Sequence, residues 1–129
     1  MRILYVEDDP VNRKVVQALL GRAGVATDEA VNGEAGLQRV DQGDYDVILM
    51  DLRMPVMDGL TAIRHIRARR DDKSRTPIVV ITADTSAHIR EEALAAGADD
   101  LLQKPVDIAR LFETIGPLVA RRSGGTAEI

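Results

Sequence analysis

Short apolar runs alternate with longer amphipathic segments along the whole of this chain. The runs are rich in Val, Ile and Leu, and polar or turn-forming residues bound each of them, as is usual for strands. The first, third and fourth runs are almost continuously apolar, which is typical of strands covered on both faces. The pattern predicts five strands, at residues 2–6, 25–31, 46–50, 77–82 and 100–104.

The segments between these runs carry apolar residues at helical spacing. In the first segment, Val11, Val15, Leu19 and Leu20 fall on one stripe, which predicts an amphipathic helix. In the last segment, Pro117 should end or kink the helix, because proline cannot donate to the helical hydrogen-bond ladder. The predicted helices occupy residues 10–24, 33–43, 59–70, 86–97 and 107–122.

Five strands that alternate with five helices are typical of a doubly wound α/β fold with a parallel sheet. The chain has 129 residues, which is enough for one domain. We therefore predict a single domain over residues 1–122. The Gly- and Ser-containing end of the chain, residues 123–129, is expected to be a disordered tail.

Composition excludes several classes of function. Aromatic residues make up only 2% of the chain, so the core must be aliphatic. The formal charge of −4 provides no basic surface of the kind that binds nucleic acid through its phosphates. There is no cysteine, and therefore no disulfide or thiolate chemistry, and no apolar run approaches the length of a membrane span. We expect a cytoplasmic protein without a nucleic-acid or membrane partner.

Polar residues stand at the carboxyl ends of four of the five predicted strands. In a doubly wound sheet, functional residues collect where the carboxyl ends of the strands meet. Two like charges about 4 Å apart repel by roughly 4 kcal/mol at an effective dielectric of 20, and a bound Mg²⁺ removes that repulsion. A cation, a carboxylate, a hydroxyl and an ammonium are the groups needed for phosphoryl transfer to an aspartate. The strand ends supply Glu7, Asp8, Asp9, Asp51, Thr82, Asp84 and Lys104.

Each of these residues also has a purely structural explanation. Asp8 and Asp9 could cap the first helix. Asp51 could be a loop acid before a turn, Thr82 is a common strand residue, and Lys104 could lie on the surface. The functional interpretation depends on the agreement of four strand ends rather than on any single residue.

Five sequence motifs carry a resemblance to the receiver domain of two-component response regulators over about residues 2–120. The resemblance implies a flavodoxin-like fold of five parallel strands in the order 2-1-3-4-5. It also implies that Asp51 is the phosphoacceptor. The motifs are VEDD (6–9), MDLRMPVMDG (50–59), ITA (81–83), GADD (97–100) and KP (104–105).

The resemblance assigns further roles at the same strand ends. Asp8, Asp51 and the backbone carbonyl of Arg53 would bind Mg²⁺ directly, and Glu7 mostly through water. Asp9 lies one place beyond the acid pair and is not expected to be a ligand. The resemblance also implies that Thr82 hydrogen-bonds the phosphoryl group, that Lys104 pairs with Asp51 before phosphorylation, that Lys104-Pro105 is a cis peptide bond, and that Gly59 allows a close backbone approach after Asp51.

The resemblance implies a signalling switch. A histidine kinase or a histidine phosphotransfer protein would donate the phosphoryl group. A downstream protein would then bind the changed surface of the segments 86–97, 100–104 and 107–122. The chain could be a stand-alone receiver or a receiver module of a hybrid histidine kinase or larger regulator. A magnesium-dependent phosphatase is disfavoured, because Arg53 stands where such enzymes carry a second aspartate and cannot donate a proton at neutral pH.

Three positions depart from the family's usual pattern or modulate it. Leu101 replaces the usual aromatic residue, so we expect loop 83–87 and the helix after it to carry the conformational change. Arg53 and Asp84 flank the site, and we hypothesise that they pair and set the phosphoryl lifetime. The two histidines, His65 and His88, are predicted to be surface residues rather than phosphodonors or metal ligands.

Overall fold

The computed structural model describes residues 1–124 and shows one five-stranded parallel sheet. Its strand order, β2-β1-β3-β4-β5, is the predicted one. Each strand lies within two residues of its predicted position. The strands are β1 (Arg2–Val6), β2 (Ala26–Ala30), β3 (Val47–Met50), β4 (Ile78–Thr82) and β5 (Asp100–Gln103).

Five α-helices connect the strands or follow them, as the sequence pattern predicts. A short 3₁₀ helix, Asp72–Arg75, also lies between the third helix and β4. The third helix ends at Arg67, three residues earlier than predicted. The helices are α1 (Pro10–Arg22), α2 (Gly33–Gln42), α3 (Gly59–Arg67), α4 (Ala87–Ala96) and α5 (Ile108–Gly124). None of the helices within residues 1–124 is both long enough and apolar enough to cross a membrane.

The sheet separates two apolar clusters, one on each face. Alternate residues of β1 point to opposite faces, so that Leu4 and Val6 belong to one cluster and Ile3 and Tyr5 to the other. Helices α2, α3 and α4 cover the first face, and α1 and α5 cover the second. The fold is therefore doubly wound, and the carboxyl ends of β1, β3, β4 and β5 share one edge.

The buried face of α1 differs from the predicted stripe. Val16 and Leu20 are the buried residues of this helix. Val11 and Val15 are exposed instead, by 67% and 53%. The buried positions recur every four residues, and the preceding one in that series is Asn12, a polar residue. Because Asn12 is polar, the apolar pattern of the sequence does not reveal the stripe that is buried.

Helix α5 does not end at Pro117, contrary to one of the two predicted outcomes. The helix continues through Pro117 to Gly124. Leu111 and Ile115 are fully buried against the sheet, and Leu118 and Val119 pack beside them. Apolar packing on both sides of the proline thus outweighs its intrinsic cost in a helix, which is about 3 kcal/mol. The predicted tail, 123–129, begins inside this helix, and residues 125–129 lie outside the described part of the chain.

Candidate functional site

The carboxyl edge of the sheet carries a cluster of three carboxylates. Strand pairing places Val6 beside Met50, so the residues that follow them, Glu7 and Asp51, are neighbours. One oxygen each from Glu7, Asp8 and Asp51 lies within 4.8 Å of the others. The crevice that they line has a volume of about 420 Å³ and contains every predicted site residue except Leu101.

Asp51 is held by backbone contacts on both of its sides. Its N–H donates to the carbonyl of Val6 at 3.0 Å, which ties the end of β3 to β1. After Asp51 the chain folds back on itself, and the Gly59 N–H donates to the carbonyl of Leu52 at 2.9 Å. A Cβ on Gly59 would overlap the Asp51 carbonyl oxygen, so the close approach predicted for this glycine is present.

Lys104 bridges two of the carboxylates. Its Nζ lies 2.7 Å from Glu7 Oε1 and 3.3 Å from Asp51 Oδ1. Its backbone N–H donates to the carbonyl of Thr82 at 2.8 Å, which fixes the end of β5 against the end of β4. The Lys104-Pro105 bond is cis, as predicted. The expected contact with Asp51 exists, but Glu7 is the closer partner.

Glu7 is fully buried and has hydrogen-bond partners that the sequence did not indicate. The Tyr5 hydroxyl and the Asn12 side-chain amide each lie 3.2 Å from Oε1, the oxygen that Lys104 also contacts. Glu7 Oε2 has no hydrogen-bond partner among the described residues. A buried carboxylate oxygen without a donor is costly, and a hard cation would satisfy it, either directly or through one of its bound waters. The residues present therefore fit a magnesium ion.

The electrostatics of the carboxylate pair favour one shared proton near neutrality. Burial, followed by the hydrogen bond and negative charge of Glu7, raises the pKa of Asp51 from its ordinary 3.8 to about 7. Burial also tends to raise the pKa of Glu7, but the neighbouring Asp51 and Lys104 side chains bring it down to about 2. Burial tends to lower the pKa of Lys104, and the two carboxylates more than offset this. The direction of these shifts makes Asp51 a weaker acid than Glu7.

The segment between β1 and α1 is fixed by Arg13 and Asp9. Arg13 Nη1 donates to the carbonyl oxygens of Glu7 and Asp8 at 2.9 and 3.0 Å. Asp9 Oδ1 accepts from the Val11 N–H at 2.8 Å and so acts as the N-cap of α1. The capping alternative therefore holds for Asp9, whereas Asp8 joins the acid cluster.

Thr82, Asp84 and Arg53 form the opposite wall of the crevice. Thr82 is buried, and its hydroxyl oxygen accepts from the Asp84 N–H at 3.2 Å. Arg53 Nη2 lies 3.4 Å from Asp84 Oδ2, so the predicted pair is present, with side chains that are 79% and 40% exposed. Hydrogen bonds from Ser86, and then the charge of Arg53, lower the pKa of Asp84.

The remaining predicted residues lie away from the acid cluster. Leu101 is buried among aliphatic side chains in the cluster on the α3 and α4 face. His65 and His88 are both exposed, and His88 contacts Glu92 at 2.6 Å within α4. Both histidines are surface residues, as predicted.

Residues 3–116 match the family model of the response regulator receiver domain. The chain belongs to this family. Receiver domains are phosphoacceptor modules of two-component signal transduction rather than enzymes in the usual sense. The match favours the receiver interpretation over the magnesium-dependent phosphatase.

Receiver domains of several protein architectures are similar to this one. A two-component response regulator of rice is 43% identical over 115 residues, which are 86% of this chain and 88% of that protein. Hybrid signal transduction histidine kinase G of Dictyostelium discoideum is 40% identical over 123 residues, which are 92% of this chain but only 4% of the kinase. Both a two-component response regulator and a hybrid histidine kinase are thus among its relatives.

Solved receiver structures share the fold closely. The receiver domain of a sensor histidine kinase from Pseudomonas aeruginosa PAO1, with a magnesium ion coordinated in its active-site cleft, is 38% identical. Its TM-score is 0.85, over 92% of this chain and 97% of that one. A receiver domain from Saccharomyces cerevisiae, in complex with a histidine phosphotransfer protein, is 27% identical. Its TM-score is also 0.85, over 95% of this chain and 91% of the matched chain.

Proposed function

We propose that Asp51 of this receiver domain accepts a phosphoryl group from a phosphohistidine donor. The observation that carries the proposal is the convergence of three carboxylates on one ammonium at the carboxyl edge of the sheet. A crevice with this charge pattern suits a dianionic group that is delivered together with a cation. The TM-score of 0.85 to a magnesium-bound receiver supports the same role.

The transfer is a displacement at phosphorus. A carboxylate oxygen of Asp51 forms the new P–O bond while the P–N bond of the phosphohistidine breaks, and the donor imidazole keeps the electron pair. Asp51 must be deprotonated to act as the nucleophile. Because its pKa is raised to about 7, loss of the shared proton is part of preparing the site.

Glu7, Asp8, Asp51 and the backbone carbonyl of Arg53 would hold the Mg²⁺. When bound, the ion neutralises charge on the transferring group and on the carboxylates around it. Asp8 is exposed and forms no ion pair with Lys104. Glu7 Oε1 contacts Lys104, and Glu7 Oε2 has no hydrogen-bond partner among the described residues. We propose direct coordination by Asp8 and Asp51 and a contact mostly through water for Glu7.

Lys104 and Thr82 would stabilise the phosphorylated state. Lys104 already lies 3.3 Å from Asp51, so its ammonium can follow the negative charge to the phosphoryl oxygens. Thr82 lines the same crevice, and its hydroxyl hydrogen can be donated to a phosphoryl oxygen. Water then hydrolyses the acyl phosphate, and the Arg53–Asp84 pair at the mouth would set the rate at which that water arrives.

The donor would be a histidine kinase or a histidine phosphotransfer protein. Its histidine must come within bonding distance of Asp51, so its surface must cover the rim of the crevice. Two exposed valines lie near the crevice residues along the chain, Val11 two residues after Asp9, exposed by 67%, and Val56 in the β3–α3 loop, exposed by 77%. Two exposed valines next to an anionic site suit a protein surface with an apolar patch around its histidine.

The downstream target would be a protein that contacts α4, β5 and α5. A groove of about 440 Å³ there is lined by residues of α4, β5 and α5, together with Lys104 and Thr85. Lys104 also lines the acidic crevice, so the two concave surfaces share one wall. A change at Asp51 can therefore reach the groove through Lys104.

Phosphoryl uptake tests this proposal. The protein is incubated with acetyl phosphate and Mg²⁺ and its intact mass is measured, in parallel with Asp51→Asn and with a sample containing excess EDTA. We expect a gain of one phosphoryl group in the parent protein only. Equal uptake by Asp51→Asn would contradict the assignment of Asp51.

A further inference from the structure

Three successive hydrogen bonds connect Thr82 to the first turn of α4. The Thr82 hydroxyl oxygen accepts from the N–H of Asp84 at 3.2 Å, and Asp84 Oδ1 accepts from the N–H of Ser86 at 3.0 Å. Ser86 Oγ in turn accepts from the N–H of Ile89 at 3.4 Å, which makes Ser86 the N-cap of α4. Each bond joins a side chain to the backbone, so the position of one side chain fixes the backbone that carries the next. We call this series the 82–89 relay.

The relay is anchored at both of its ends. At one end Thr82 is buried and lines the crevice that contains Asp51. At the other end Ile89 is partly buried and packs against the apolar cluster that contains Leu101. A displacement of Thr82 therefore cannot be absorbed by a free chain end, because the backbone between the two anchors is only six residues long.

Asp84 is the residue where the relay can be interrupted. Its Oδ1 belongs to the relay, and its Oδ2 faces Arg53 at 3.4 Å. Its own N–H donates to the Thr82 hydroxyl oxygen. When Thr82 turns its hydroxyl towards a phosphoryl oxygen on Asp51, that oxygen moves away from the Asp84 N–H. The turn at Asp84 then loses the bond that orients its carboxylate towards Ser86.

The cap of α4 is weak enough to respond to this loss. Its hydrogen bond is long, at 3.4 Å, and Ser86 is exposed. Capping bonds of this kind shift the fraying equilibrium of a first helical turn about fivefold. Leu101, at the position where the family usually carries an aromatic ring, is buried by aliphatic packing and supplies no ring that could follow Thr82.

We propose that Asp84 is a positioning residue that transmits phosphorylation of Asp51 from Thr82 to the first turn of α4, through its bond to Ser86. This inference rests on the proposed function, since it requires Thr82 to bind the phosphoryl group. It goes beyond that function by assigning the route of the signal to a hydrogen-bonded chain instead of to a moving ring.

Amide hydrogen exchange measured by mass spectrometry tests the relay. Each protein is measured in two states, free and with saturating Mg²⁺ and beryllofluoride, a phosphoryl analogue. The analogue concentration is set so that every variant is fully occupied in the bound state. Asp84→Ala removes the relay, whereas Asp84→Asn keeps an Oδ1 acceptor for Ser86 and replaces the charged Oδ2, which faces Arg53, by an amide donor. Arg53→Ala removes the ion pair and leaves the relay intact. Exchange in β1 and β3 reports whether each variant is folded.

In the parent protein we expect the analogue to speed exchange in residues 84–90 by about fivefold, as loss of a cap does. In Asp84→Ala the same segment should exchange fast in both states, so that the difference between states disappears. Asp84→Asn and Arg53→Ala should keep the difference. A parent-like difference in Asp84→Ala, or its loss in Asp84→Asn, would overturn the relay. A parent protein that cannot bind the analogue would contradict the proposed function itself.

Discussion

The ammonium of Lys104 lies closer to Glu7 than to Asp51, at 2.7 Å against 3.3 Å. Before phosphorylation, therefore, the lysine is anchored mainly on a fully buried carboxylate that is not the predicted phosphoacceptor. Lys104 neutralises Glu7 in the resting state while staying within reach of Asp51. The same side chain thus serves stability and the proposed chemistry.

Removal of the lysine charge should destabilise the protein. In Lys104→Met, the Glu7 carboxylate is left buried without its cation, and we expect the free energy of unfolding at pH 7 to fall by roughly 1–3 kcal/mol. Lys14→Met, at an exposed position on α1, is the matched control and should change it by less than about 0.5 kcal/mol. Urea unfolding of the three proteins measures both values. Equal stabilities would show that the Lys104–Glu7 contact contributes nothing.

The pH dependence of this effect has a definite sign. The pKa of Glu7 is lowered in the folded protein from 4.5 to about 2. Its contribution to stability is therefore present above pH 4.5 and is lost as the pH falls towards 2. In Lys104→Met this contribution should be absent, so the difference between the variant and the parent should shrink on acidification. A difference that stays constant from pH 7 to pH 3 would contradict the assignment.

Asp51 should have the opposite effect on stability. Its pKa is raised from 3.8 to about 7 in the folded protein, so the stability associated with its protonated form is present below pH 3.8 and lost as the pH rises to 7. Asp51→Asn avoids this loss and should be more stable than the parent above pH 7, by roughly 2–4 kcal/mol, with no advantage below pH 4. Thermal or urea unfolding across this range gives the measurement.

Magnesium should reverse much of that difference. The ion binds the deprotonated carboxylates, so at pH 8 it should stabilise the parent and have a far smaller effect on Asp51→Asn. Below pH 7 the shared proton competes with the ion, and stabilisation of the parent at a fixed Mg²⁺ concentration should decline. Stabilisation of both proteins to the same extent would place the ion elsewhere.

The exposed valines, Val11 and Val56, should matter for transfer from the protein donor and not for transfer from a small donor. Val11→Asp and Val56→Asp should slow phosphoryl transfer from a phosphorylated histidine phosphotransfer protein at least tenfold, because each places a charge in an apolar contact. Uptake from acetyl phosphate should stay at the parent rate. Leu94→Asp on α4, where Leu94 is 41% exposed, is the matched control and should transfer normally. Equal slowing in all three variants would remove the valines from the interface.

The backbone of Val56 adds a second readout at the same residue. Val56 has a φ of 71°, in the left-handed region that β-branched residues rarely occupy. Val56→Gly should relieve this strain and raise the free energy of unfolding by up to about 1 kcal/mol. If Val56 contacts the donor, the same variant should transfer more slowly. A higher free energy of unfolding together with slower phosphoryl transfer in Val56→Gly would show that the strained valine serves contact with the donor.

The Arg53–Asp84 pair yields a kinetic prediction. Both side chains are substantially exposed, so the pair contributes little to stability, and its effect should lie in the access of water to Asp51. Arg53→Ala and Asp84→Ala should change the dephosphorylation rate in the same direction, by about threefold or more. The rate is followed by the loss of the phosphoryl mass after the donor is removed. If both variants lose the phosphoryl group at the parent rate, the Arg53–Asp84 pair does not control the access of water to Asp51.

The strand ends could be predicted from the sequence because the site residues lie at the end of an apolar run or within a few residues after it. Glu7 follows "RILYV" and Asp51 follows "DVILM", and parallel strands bring their carboxyl ends to one edge whatever the detailed packing. The order of the strands came from the family resemblance, since alternation alone does not fix it. The convergence of the site is therefore a consequence of topology, which the sequence pattern reveals.

The partners of Glu7 could not be predicted in this way. Asn12 reaches Glu7 because the buried face of α1 runs through Asn12, Val16 and Leu20, and the valines of the expected stripe face away from the core. The sequence signal for this contact was a polar residue spaced four and eight residues before two apolar ones, Val16 and Leu20. The end of α5 could not be predicted for a related reason. Pro117 disfavours a helix locally, but the packing of α5 against the sheet outweighs that preference.

The position of the phosphoryl group is the most direct test of the proposed role of Asp51. After incubation with acetyl phosphate and Mg²⁺, borohydride reduces an aspartyl phosphate to homoserine, and peptide mass spectrometry then locates the changed residue. We predict homoserine at position 51 and at no other position. An unmodified Asp51, with the change found at Asp8, Asp9 or any other acid, would contradict the account.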